Sequence, residues 1–401
     1  MSTVQRILAA LPAKPTQMLP QACYTDPAFF TFEQRSVFAK SWICVGRVEQ
    51  IPIPGDCLSV PAAGEPIIVI RNEAGGVHAV SAVCQHRGEI LECSGPRHLR
   101  CPLHFWTYDL TGALVGAPRT GAEELRRLRT EVRLPSVRLE LWHGFIFVNL
   151  DGQASPLGPS LAKVEPFWEG YEAADLVAIP PKMADTPLPW NWKVHVENFT
   201  DAYHPEFVHR GTHDFAPSVH PDGGVEFTSM EDGDNAILRT VPLISADGGM
   251  MQDGWGEAAA FPAIQTLPEA QRRRLVFVLL PPSMTLVFAP GAVAYTLISP
   301  VGAEATLASS DRVTAGGWLL PRTTTKLPDF DQRKAVVLEG AAKIWAQDVP
   351  LNLGMQDGKR SRFGPPGYYT ALETTLVQFN AWLLHAYRRA AGTVAETRVC
   401  P

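Results

Sequence analysis

Short apolar runs bounded by Gly and Pro recur along two separate stretches of the chain. Between about residues 43 and 150 they read LSVPA, EPIIVIRN, VHAVSAV, WTYDL and VRLELWHGFIFVNL. Between about residues 236 and 300 they read AILRTVPLI, RRLVFVLL, MTLVFAP and VAYTLISP. Runs of this length between turn residues are typical of antiparallel strands. The pattern predicts a small β-rich domain followed by a second unit with a β-rich middle.

Helical patterns lie at both ends of the chain and just before the second β-rich stretch. Residues 24–41 predict a helix in which Asp26 is the N-cap and Pro27 occupies the first turn. Further helices are predicted over WNWKVHVENFTDAYH, which begins at residue 190, and near 328–347 and 370–389. Residues 153–190 are rich in Pro and small residues and predict a linker with one short helix. The last helix carries a core-facing stripe at helical spacing, formed by Leu372, Leu376, Phe379 and Leu383.

Composition narrows the class of protein. A length of 401 residues suggests two or three domains. With 46% apolar and 19% charged residues the chain reads as a globular protein, and a net charge of −6 without a Lys/Arg run argues against a nucleic-acid partner. The N-terminus lacks the apolar core of a signal peptide, and no stretch approaches the 18 or more apolar residues of a membrane helix. We therefore expect a cytoplasmic protein that does not enter a membrane.

The seven cysteines do not suggest a disulfide framework, because their number is odd and no signal peptide precedes them. Most of them are expected to be reduced and buried. Cys84 and Cys101 are set apart from the others by their histidine neighbours.

Two Cys/His pairs lie in the first β-rich stretch. They read Cys84-Gln-His86 and Cys101-Pro-Leu-His104, with 14 residues between the pairs. Two thiolates and two imidazoles suit tetrahedral zinc, and they also suit a two-iron cluster with two cysteines on one iron and two histidines on the other. Zinc ribbons more often use two- to four-residue gaps in both pairs. The one-residue gap of the first pair and the Arg-Gly that follows it favour the cluster.

The two segments CQHRG and CPLHFWTYD resemble the Rieske signature CxHRG…CPxHxWxYD. The chain departs from that signature at Phe105, where small residues are usual, and the loop between its pairs is short for the family. Cys93 and His98 lie in that loop, match no motif position and are taken as non-ligands. The resemblance implies a [2Fe-2S] cluster whose ligands are Cys84, His86, Cys101 and His104.

A second set of metal-binding residue types follows in HVENFTDAYHPEFVH, residues 195–209, which contains His204 and His209. Two histidines and one carboxylate form the facial triad that binds ferrous iron and leaves positions for dioxygen and substrate. Asp201 precedes His204 by three residues and would share a helix face with it, and Pro205 is expected to break that helix. The third ligand must be a carboxylate from elsewhere in the chain.

This segment resembles the motif Glu-Asn-x-x-Asp-x-Tyr-His-x4-His of the Rieske non-haem iron oxygenases. Residues 345–358, WAQDVPLNLGMQDG, resemble the family's Glu-Asp-x7-Gln segment, although Gln347 replaces the usual Glu. The resemblance implies that Asp348 is the third iron ligand and that Gln356 matches the downstream Gln. The alternatives to Asp348 are Asp357, Glu339 and Glu206.

The resemblance covers nearly the whole chain and implies an α+β fold, in which an antiparallel β Rieske domain is inserted in a helix-grip, START-like catalytic domain with an antiparallel sheet and flanking helices. The expected domains are 1–42, the N-terminal helical part of the catalytic domain, 43–152, the Rieske domain, and 153–401, the remainder of the catalytic domain with its mononuclear iron.

The family also implies a head-to-tail homotrimer, in which electrons pass from the cluster of one subunit to the iron of the next. In that arrangement Asp201 would accept hydrogen bonds from His204 and from a cluster histidine, His104. Asn198 would line the iron pocket. Asp201 and Asn198 are therefore the candidate catalytic residues beside the metal ligands.

Three functions are considered. The Asp201-Ala-Tyr203-His204 form resembles ring-hydroxylating members, which implies hydroxylation or dihydroxylation of a small, aromatic substrate as the leading hypothesis. The ends of the chain, including SRFGPPGYYTALE, resemble choline, betaine and carnitine oxygenases, which implies hydroxylation or N-demethylation of a quaternary ammonium or amine as the alternative. A Rieske electron carrier would need only the first 150 or so residues. Aromatic residues that could surround a substrate cation are Tyr203, Tyr295, Trp255 and Phe288.

The electrons for such a reaction must come from outside the chain. No G-x-G-x-x-G fingerprint follows a predicted strand, so the sequence gives no sign of a flavin or NAD site. We expect a separate reductase or ferredoxin as the electron donor.

Overall fold

The computed structural model describes residues 1–93, 98–172, 175–179, 186–219, 223–231, 233–244, 261–308, 317–364 and 367–396. The chain divides into two compact units. The smaller unit, Phe38–Pro156, is one continuous segment, whereas the larger combines Met1–Val37 with Leu157–Pro401. The smaller unit is therefore inserted in the larger one. Its ends lie at residues 38 and 156, compared with 43 and 152 in the expectation from the sequence.

The smaller unit consists of short antiparallel strands in a six-stranded sheet, ordered β1-β10-β9-β4-β3-β2, and a four-stranded sheet, ordered β5-β6-β7-β8. Each β-rich run predicted in this stretch forms a strand or a hairpin. The run VRLELWHGFIFVNL forms a hairpin because His143 and Gly144, both with positive φ, make a two-residue turn between Trp142 and Phe145. The strands are β1 Ile43–Arg47, β2 Cys57–Ala62, β3 Glu65–Arg71, β4 Val77–Ser81, β5 Glu92–Cys93, β6 His98–Arg100, β7 Thr107–Asp109, β8 Leu114–Gly116, β9 Ser136–Trp142 and β10 Phe145–Asn149.

The larger unit is organised around an eight-stranded antiparallel sheet ordered β11-β18-β16-β15-β14-β13-β12, with β17 paired to β16. The four apolar runs predicted in this stretch form β13 to β16. The edge strand β11 was not predicted, because its four residues lie in the segment expected to be a linker; it pairs with β18 through Leu176 and Ile179. The strands are β11 Leu176–Ile179, β12 Glu226–Phe227, β13 Ile237–Pro242, β14 Arg274–Leu280, β15 Met284–Ala289, β16 Ala292–Gly302, β17 Ala305–Ala308 and β18 Gly317–Pro321.

Helices pack around this sheet, and the predicted signals locate several of them. Asp26 caps α3, since its Oδ1 accepts hydrogen bonds from the backbone N–H groups of Ala28 and Phe29 at 2.8 and 3.0 Å. In α10 the residues Leu376, Phe379 and Leu383 are buried as predicted. The helices are α1 Thr3–Ala9, α2 Ala22–Thr25, α3 Pro27–Ser36, α4 Ala122–Glu131, α5 Leu157–Ser160, α6 Trp192–Thr200, α7 Pro205–Val208, α8 Glu269–Arg272, α9 Phe330–Arg360 and α10 Thr374–Glu396, with 3-10 turns at Phe38–Lys40, Val48–Gln50, Glu165–Trp168, Thr324–Lys326 and Ala371–Glu373.

Helix α9 is longer than the predicted helix near 328–347. It continues through Pro350 and ends at Arg360. A proline inside a helix removes one backbone hydrogen bond and crowds the preceding turn. The second half of α9 buries Asp348, Asn352, Gln356 and Lys359, which recur every three or four residues and therefore lie on one face. The contacts of this face hold the helix together beyond the proline.

Two further features depart from the sequence analysis. Helix α4 was not predicted, and it buries no residue. Cys57 and Cys93 form a disulfide that joins β2 to β5, with their Cα atoms 6.3 Å apart, so the expectation of reduced cysteines was wrong for this pair. Cys23, Cys44, Cys84 and Cys101 are buried and take part in no disulfide. Among the described helices, none has the length and apolar character that crossing a membrane requires.

Candidate metal centres

The two Cys/His segments form loops of the same backbone design. In the first loop the amide of Gly88 donates to the carbonyl of Cys84 at 3.0 Å, and the amide of Cys84 donates to the carbonyl of Glu89 at 2.9 Å. In the second loop Phe105 and Trp106 make the same two hydrogen bonds with Cys101, at 3.0 and 2.9 Å. Each loop thus fixes its cysteine at its base.

The four predicted cluster ligands are arranged with thiols inside and imidazoles outside. Cys84 and Cys101 are buried in the core of the smaller unit, whereas His86 and His104 are exposed. The two imidazole rings lie 4.9 Å apart between centroids. Burial raises the pKa of the Cys84 thiol, so a thiolate at this position needs a bound cation. This donor set, two buried sulfurs and two exposed nitrogens, fits a [2Fe-2S] cluster near the surface.

Tyr108 supports the first cysteine. Its hydroxyl lies 3.4 Å from the Cys84 Sγ and accepts a hydrogen bond from the backbone N–H of Gln85 at 3.1 Å. The phenol is fully buried, so its O–H is available to the sulfur. Tyr108 was not predicted to contact the cluster, although the WxYD part of the motif includes it.

The unusual Phe105 occupies the position in its loop that Gly88 occupies in the other. Both residues have positive φ, 58° for Phe105 and 81° for Gly88. A residue with a Cβ is strained in this region, at a cost on the order of 1 kcal/mol. This explains why a small residue is usual there. The Arg100 guanidinium lies over the Phe105 ring, 5.2 Å from its centroid, and packs against the otherwise exposed side chain.

The second site is built at the end of α6. Asn191 caps this helix by accepting a hydrogen bond from the amide of Lys193 at 2.9 Å. The helix ends at Thr200, and Asp201 is its C-cap residue, so Asp201 and His204 meet across a turn and not on one helix face as predicted. Pro205 was expected to break a helix, but it is the first residue of α7, a position that suits its fixed φ.

His204 and His209 flank the single turn of α7, and Asp348 reaches them from α9. The Nε2 atoms of the two histidines are 3.3 Å apart. The Asp348 Oδ1 lies 3.2 Å from the His209 Nε2 and 3.6 Å from the His204 Nε2. Ligand atoms of the three residues all lie within 4.8 Å of one another. Two imidazole nitrogens and one carboxylate oxygen that converge in this way fit a ferrous ion with open positions.

Each of these three side chains is oriented by a further polar residue. The Asp201 Oδ2 is 2.8 Å from the His204 Nδ1, and the Gln347 Oε1 is 2.9 Å from the His209 Nδ1. The Asn198 Nδ2 donates to the Asp348 Oδ1 at 3.2 Å. A partner on the second ring nitrogen fixes the tautomer and directs the first nitrogen at a metal. Gln347 thus performs a role that the sequence analysis missed.

Hydrogen bonding also changes the proton affinity of His209. Burial alone would lower the pKa of its imidazole, but hydrogen bonds to Asp348 and Gln347 raise it above the ordinary value. His195, on α6, has its pKa lowered to about 4 by burial and is therefore neutral. It was not predicted as a ligand, and it is not one of the three residues that converge.

The alternatives to Asp348 make contacts elsewhere. Asp357 pairs with Arg360, and Glu339 pairs with Lys343 at 2.9 Å. The Glu206 carboxylate accepts a hydrogen bond from the backbone N–H of Val219 at 2.8 Å. Within the described residues, the carboxylate that approaches both histidines is that of Asp348.

A buried polar network holds α6 in place. The Lys193 Nζ lies 2.8 Å from a Glu33 oxygen with both side chains fully buried, and Tyr24 donates to Glu197 at 2.5 Å. Gln356 accepts a hydrogen bond from the backbone N–H of Asn191 at 2.8 Å. The downstream Gln of the family motif therefore fixes the start of the helix that carries Asn198 and Asp201.

Within the described part of the chain, the predicted aromatic residues have separate surroundings. The Phe288 ring packs against Trp168 at 4.9 Å and Tyr171 at 5.6 Å, as part of the core. Tyr203 is exposed and packs edge-on against Phe207 at 5.6 Å. Tyr295 is buried, and Trp255 lies outside the described residues.

Two family models match the chain, one for each metal centre. The model of the Rieske [2Fe-2S] domain matches residues 41–137. The model of the ring hydroxylating alpha subunit catalytic domain matches residues 168–389, more than half of the chain.

Curated relatives match over most of the chain or over part of it. The glycine betaine monooxygenase oxygenase subunit of Chromohalobacter salexigens is 28% identical over 396 residues, covering 91% of this chain and 84% of that protein. The carnitine monooxygenase oxygenase subunit of Acinetobacter pittii is 34% identical over 230 residues, covering 55% of this chain and 60% of that protein.

Solved structures of low sequence identity share the fold. A quaternary ammonium Rieske monooxygenase superposes with a TM-score of 0.74 at 23% identity, covering 94% of this chain and 97% of that one. A naphthalene 1,2-dioxygenase from Rhodococcus sp. superposes with a TM-score of 0.73 at 19% identity, covering 96% and 97%. The fold alone therefore does not distinguish these two kinds of substrate.

Proposed function

Because this chain belongs to the ring-hydroxylating oxygenase alpha subunits, whose cofactors are a Rieske [2Fe-2S] cluster and a mononuclear iron, we propose that it hydroxylates a C–H bond next to the nitrogen of a quaternary ammonium or amine substrate. The observation that carries the proposal is the convergence of His204, His209 and Asp348, together with a glycine betaine monooxygenase relative that matches 91% of the chain. The relatives support this substrate class better than the aromatic one.

The proposal assigns the cluster to Cys84, His86, Cys101 and His104, and the iron to His204, His209 and Asp348. When bound, the iron supplies dioxygen activation and the cluster supplies electrons one at a time. The overall reaction inserts one oxygen atom into a C–H bond and releases the other as water, which consumes two electrons and two protons. A hydroxylated carbon bonded to nitrogen then loses that bond, giving an amine and a carbonyl compound.

The chain is the oxygenase subunit of a multicomponent system, and its electrons come from another protein. We propose a separate reductase or ferredoxin as this donor and a homotrimer as the assembly. Support for contact between copies comes from exposed apolar side chains at both centres. They are Leu103 and Phe105 beside the cluster histidine His104, and Tyr203 and Phe207 beside His204. Large exposed apolar residues of this kind are typical of interfaces.

The cluster assignment predicts the effect of removing a thiolate. Cys84→Ala or Cys101→Ala should abolish the cluster, because a thiolate ligand is lost. Wild-type protein should contain about three irons and two acid-labile sulfides per chain, counted as two irons and two sulfides in the cluster and one further iron. The measurement is iron and labile-sulfide analysis of purified variants.

Cys44→Ala is the matched control, because Cys44 is also a buried cysteine of the smaller unit outside any disulfide, but it lies outside the motif. It should keep full labile sulfide. Zinc in place of iron, with no labile sulfide in the wild type, would contradict the cluster assignment.

The substrate class is tested by turnover with a surrogate reductase. Glycine betaine, carnitine, choline, naphthalene and benzoate would be supplied with ¹⁸O₂, and products identified by mass spectrometry. We expect the wild type to release an aldehyde from a quaternary ammonium compound in a reaction that depends on dioxygen. Asp348→Ala should release none. A diol or phenol from an aromatic compound, without turnover of any amine, would contradict the proposal.

A further inference from the structure

A row of side chains crosses the sheet of the larger unit on one face. Arg239 of β13 pairs with Phe277 of β14, Phe277 with Val287 of β15, and Val287 with Ala294 of β16. Residues directly opposite in antiparallel strands point to the same face, so these four form one line. Phe277, Val287 and Ala294 are only half-buried, although their strands are central and most neighbouring residues are fully buried. The row therefore borders a recess in the sheet face.

This recess lies beside the iron ligands. The Phe277 ring is 5.9 Å from the Phe199 ring of α6 and 6.3 Å from the His213 ring, measured between centroids. His213 in turn lies 6.3 Å from the iron ligand His209. Two successive ring contacts thus connect the row to an iron ligand.

Arg239 is a buried cation without an anionic partner in the described part of the chain. Only 4% of its surface is exposed. Its Nη2 donates to the Phe199 carbonyl at 3.4 Å, its guanidinium lies 3.9 Å from the Phe277 ring centroid, and its Nε has no hydrogen-bond partner. Burial lowers the pKa of Arg239 to about 10, so the group stays charged at neutral pH. A buried charge without a counter-ion is costly, and such groups are usually paired.

Asp201 does not fill this role. It attracts Arg239 at longer range, but its carboxylate already accepts hydrogen bonds from the Tyr203 amide at 2.6 Å and from the His204 ring and amide at 2.8 and 3.3 Å. The guanidinium therefore has donors to spare, on the sheet face that lies beside Phe199 and His213.

We propose that Arg239 binds the carboxylate of the substrate, so that the enzyme selects small zwitterions that carry a carboxylate at one end and a methylated nitrogen at the other. The proposal rests on the proposed function and narrows its substrate class. A guanidinium binds a carboxylate through two parallel hydrogen bonds, which fixes orientation as well as affinity. With the carboxylate held at Arg239, the proposal directs the nitrogen end of the substrate toward the iron ligands.

The same arrangement disfavours a bare cation such as choline. Arg239 repels a quaternary ammonium that brings no carboxylate, and its guanidinium already covers one face of Phe277. That ring face is not available to a substrate cation. Selectivity for carboxylate-bearing amines thus comes from attraction of the substrate carboxylate to Arg239 and from repulsion of competing cations that lack a carboxylate.

The test is binding to iron-loaded protein without dioxygen, followed by turnover. Titration calorimetry would give Kd for carnitine, glycine betaine, choline and benzoate in the wild type, Arg239→Gln and Arg239→Lys. Of carnitine and glycine betaine, we expect the one that binds the wild type more tightly to bind Arg239→Gln about 10- to 100-fold more weakly, which is the range for a charged hydrogen-bonded contact. The Kd for choline should stay unchanged or become lower. Arg239→Lys keeps the charge and should lose less.

Arg274→Gln is the matched control. Arg274 lies on the neighbouring strand β14, its guanidinium also stacks on a ring, that of Phe167 at 5.3 Å, and its Nε also has no partner. It alternates with Phe277 along β14 and so faces the opposite side of the sheet. Its variant should bind every ligand as the wild type does. Iron content, cluster spectrum and thermal unfolding would be compared in all variants to show that each is folded.

The outcomes separate the two proposals. The role of Arg239 would be overturned if the wild type bound carboxylate-bearing amines and choline with equal affinity and if Arg239→Gln left both affinities unchanged. This result would not contradict the proposed oxygenation of an amine. Equal weakening of carnitine and choline in both Arg239 variants would overturn the role of Arg239 as well. Arg239-dependent binding and turnover of benzoate alone would support carboxylate recognition and overturn the amine substrate class.

Discussion

His204→Ala, His209→Ala and Asp348→Ala should each remove the mononuclear iron and leave the cluster spectrum intact. The three donors converge within 4.8 Å, so in the proposed site each is one of three protein ligands. A site with two protein ligands binds ferrous iron weakly, so we expect less than about one tenth of the wild-type iron at this site. This loss is at least as large as the loss expected when a residue that only orients a ligand is removed. Turnover should disappear in all three variants.

The measurement is metal analysis combined with electron paramagnetic resonance of the reduced cluster. Two irons and two labile sulfides should remain per chain. Glu339→Ala and Asp357→Ala are matched controls on the same helix, because these carboxylates pair with Lys343 and Arg360. Both controls should keep three irons. An Asp348 variant with full iron content and activity would contradict the assignment of Asp348 as a ligand. Glu339 and Asp357 would then be the candidates for the third ligand.

Motifs and periodic strands were predictable from the sequence because they depend on local spacing. The predicted apolar runs all formed strands, since a run of five to eight residues between turns has few other ways to bury its side chains. The pair His204 and His209 was predictable because the six residues from one to the other form a single helical turn with its two flanking residues. Asp348 was not accessible from spacing alone and depended on a resemblance.

Features that depend on distant contacts were missed or wrong. A proline such as Pro350 usually disrupts a helix. Helix α9 nevertheless continues beyond it, because its buried face, which extends to Lys359, contacts residues far away in the chain. Strand β11 has four residues and becomes a strand by pairing with β18, about 140 residues later. The Cys57–Cys93 disulfide joins two strands whose proximity no local pattern encodes.

The same limit applies within the site. Gln347 was noted only as a departure from the family motif, yet its Oε1 contacts both the His209 Nδ1 and the Thr212 hydroxyl at 2.9 Å. Arg239 sits in an apolar strand, and a single arginine there gives no local sign of function. Its meaning depends on burial and on missing partners, which only the fold reveals.

Asp201→Asn should keep both metal centres largely filled and yet lose most turnover, by about 100-fold, the upper range for residues that orient a metal ligand. Asp201 contacts the His204 Nδ1 through its Oδ2 at 2.8 Å, and it does not approach the metal position through a ligand atom of its own. Iron content should therefore fall much less than in the three ligand variants.

The chemical reason lies in the acceptors of the side chain. A carboxylate offers two charged oxygens, one of which holds His204 while the other accepts from the Tyr203 amide at 2.6 Å. In the proposed assembly Asp201 also accepts from a cluster imidazole, that of His104 of a neighbouring copy. An asparagine has one neutral oxygen, and its NH₂ would face an N–H donor. Charge-assisted hydrogen bonds are roughly twice as strong as neutral ones, so the amide cannot replace these contacts.

A single-turnover experiment separates this role from a merely structural one. The cluster is reduced in advance, substrate and dioxygen are added, and cluster oxidation is followed by its absorbance. Wild-type protein should oxidise its cluster as product forms, whereas Asp201→Asn should keep the cluster reduced although the iron is present. Asp214→Asn is the control, since Asp214 is an exposed carboxylate close in sequence that accepts a hydrogen bond from the Gly211 amide at 2.9 Å. An Asp201→Asn cluster that oxidises at the wild-type rate would show that electrons reach the iron without this carboxylate.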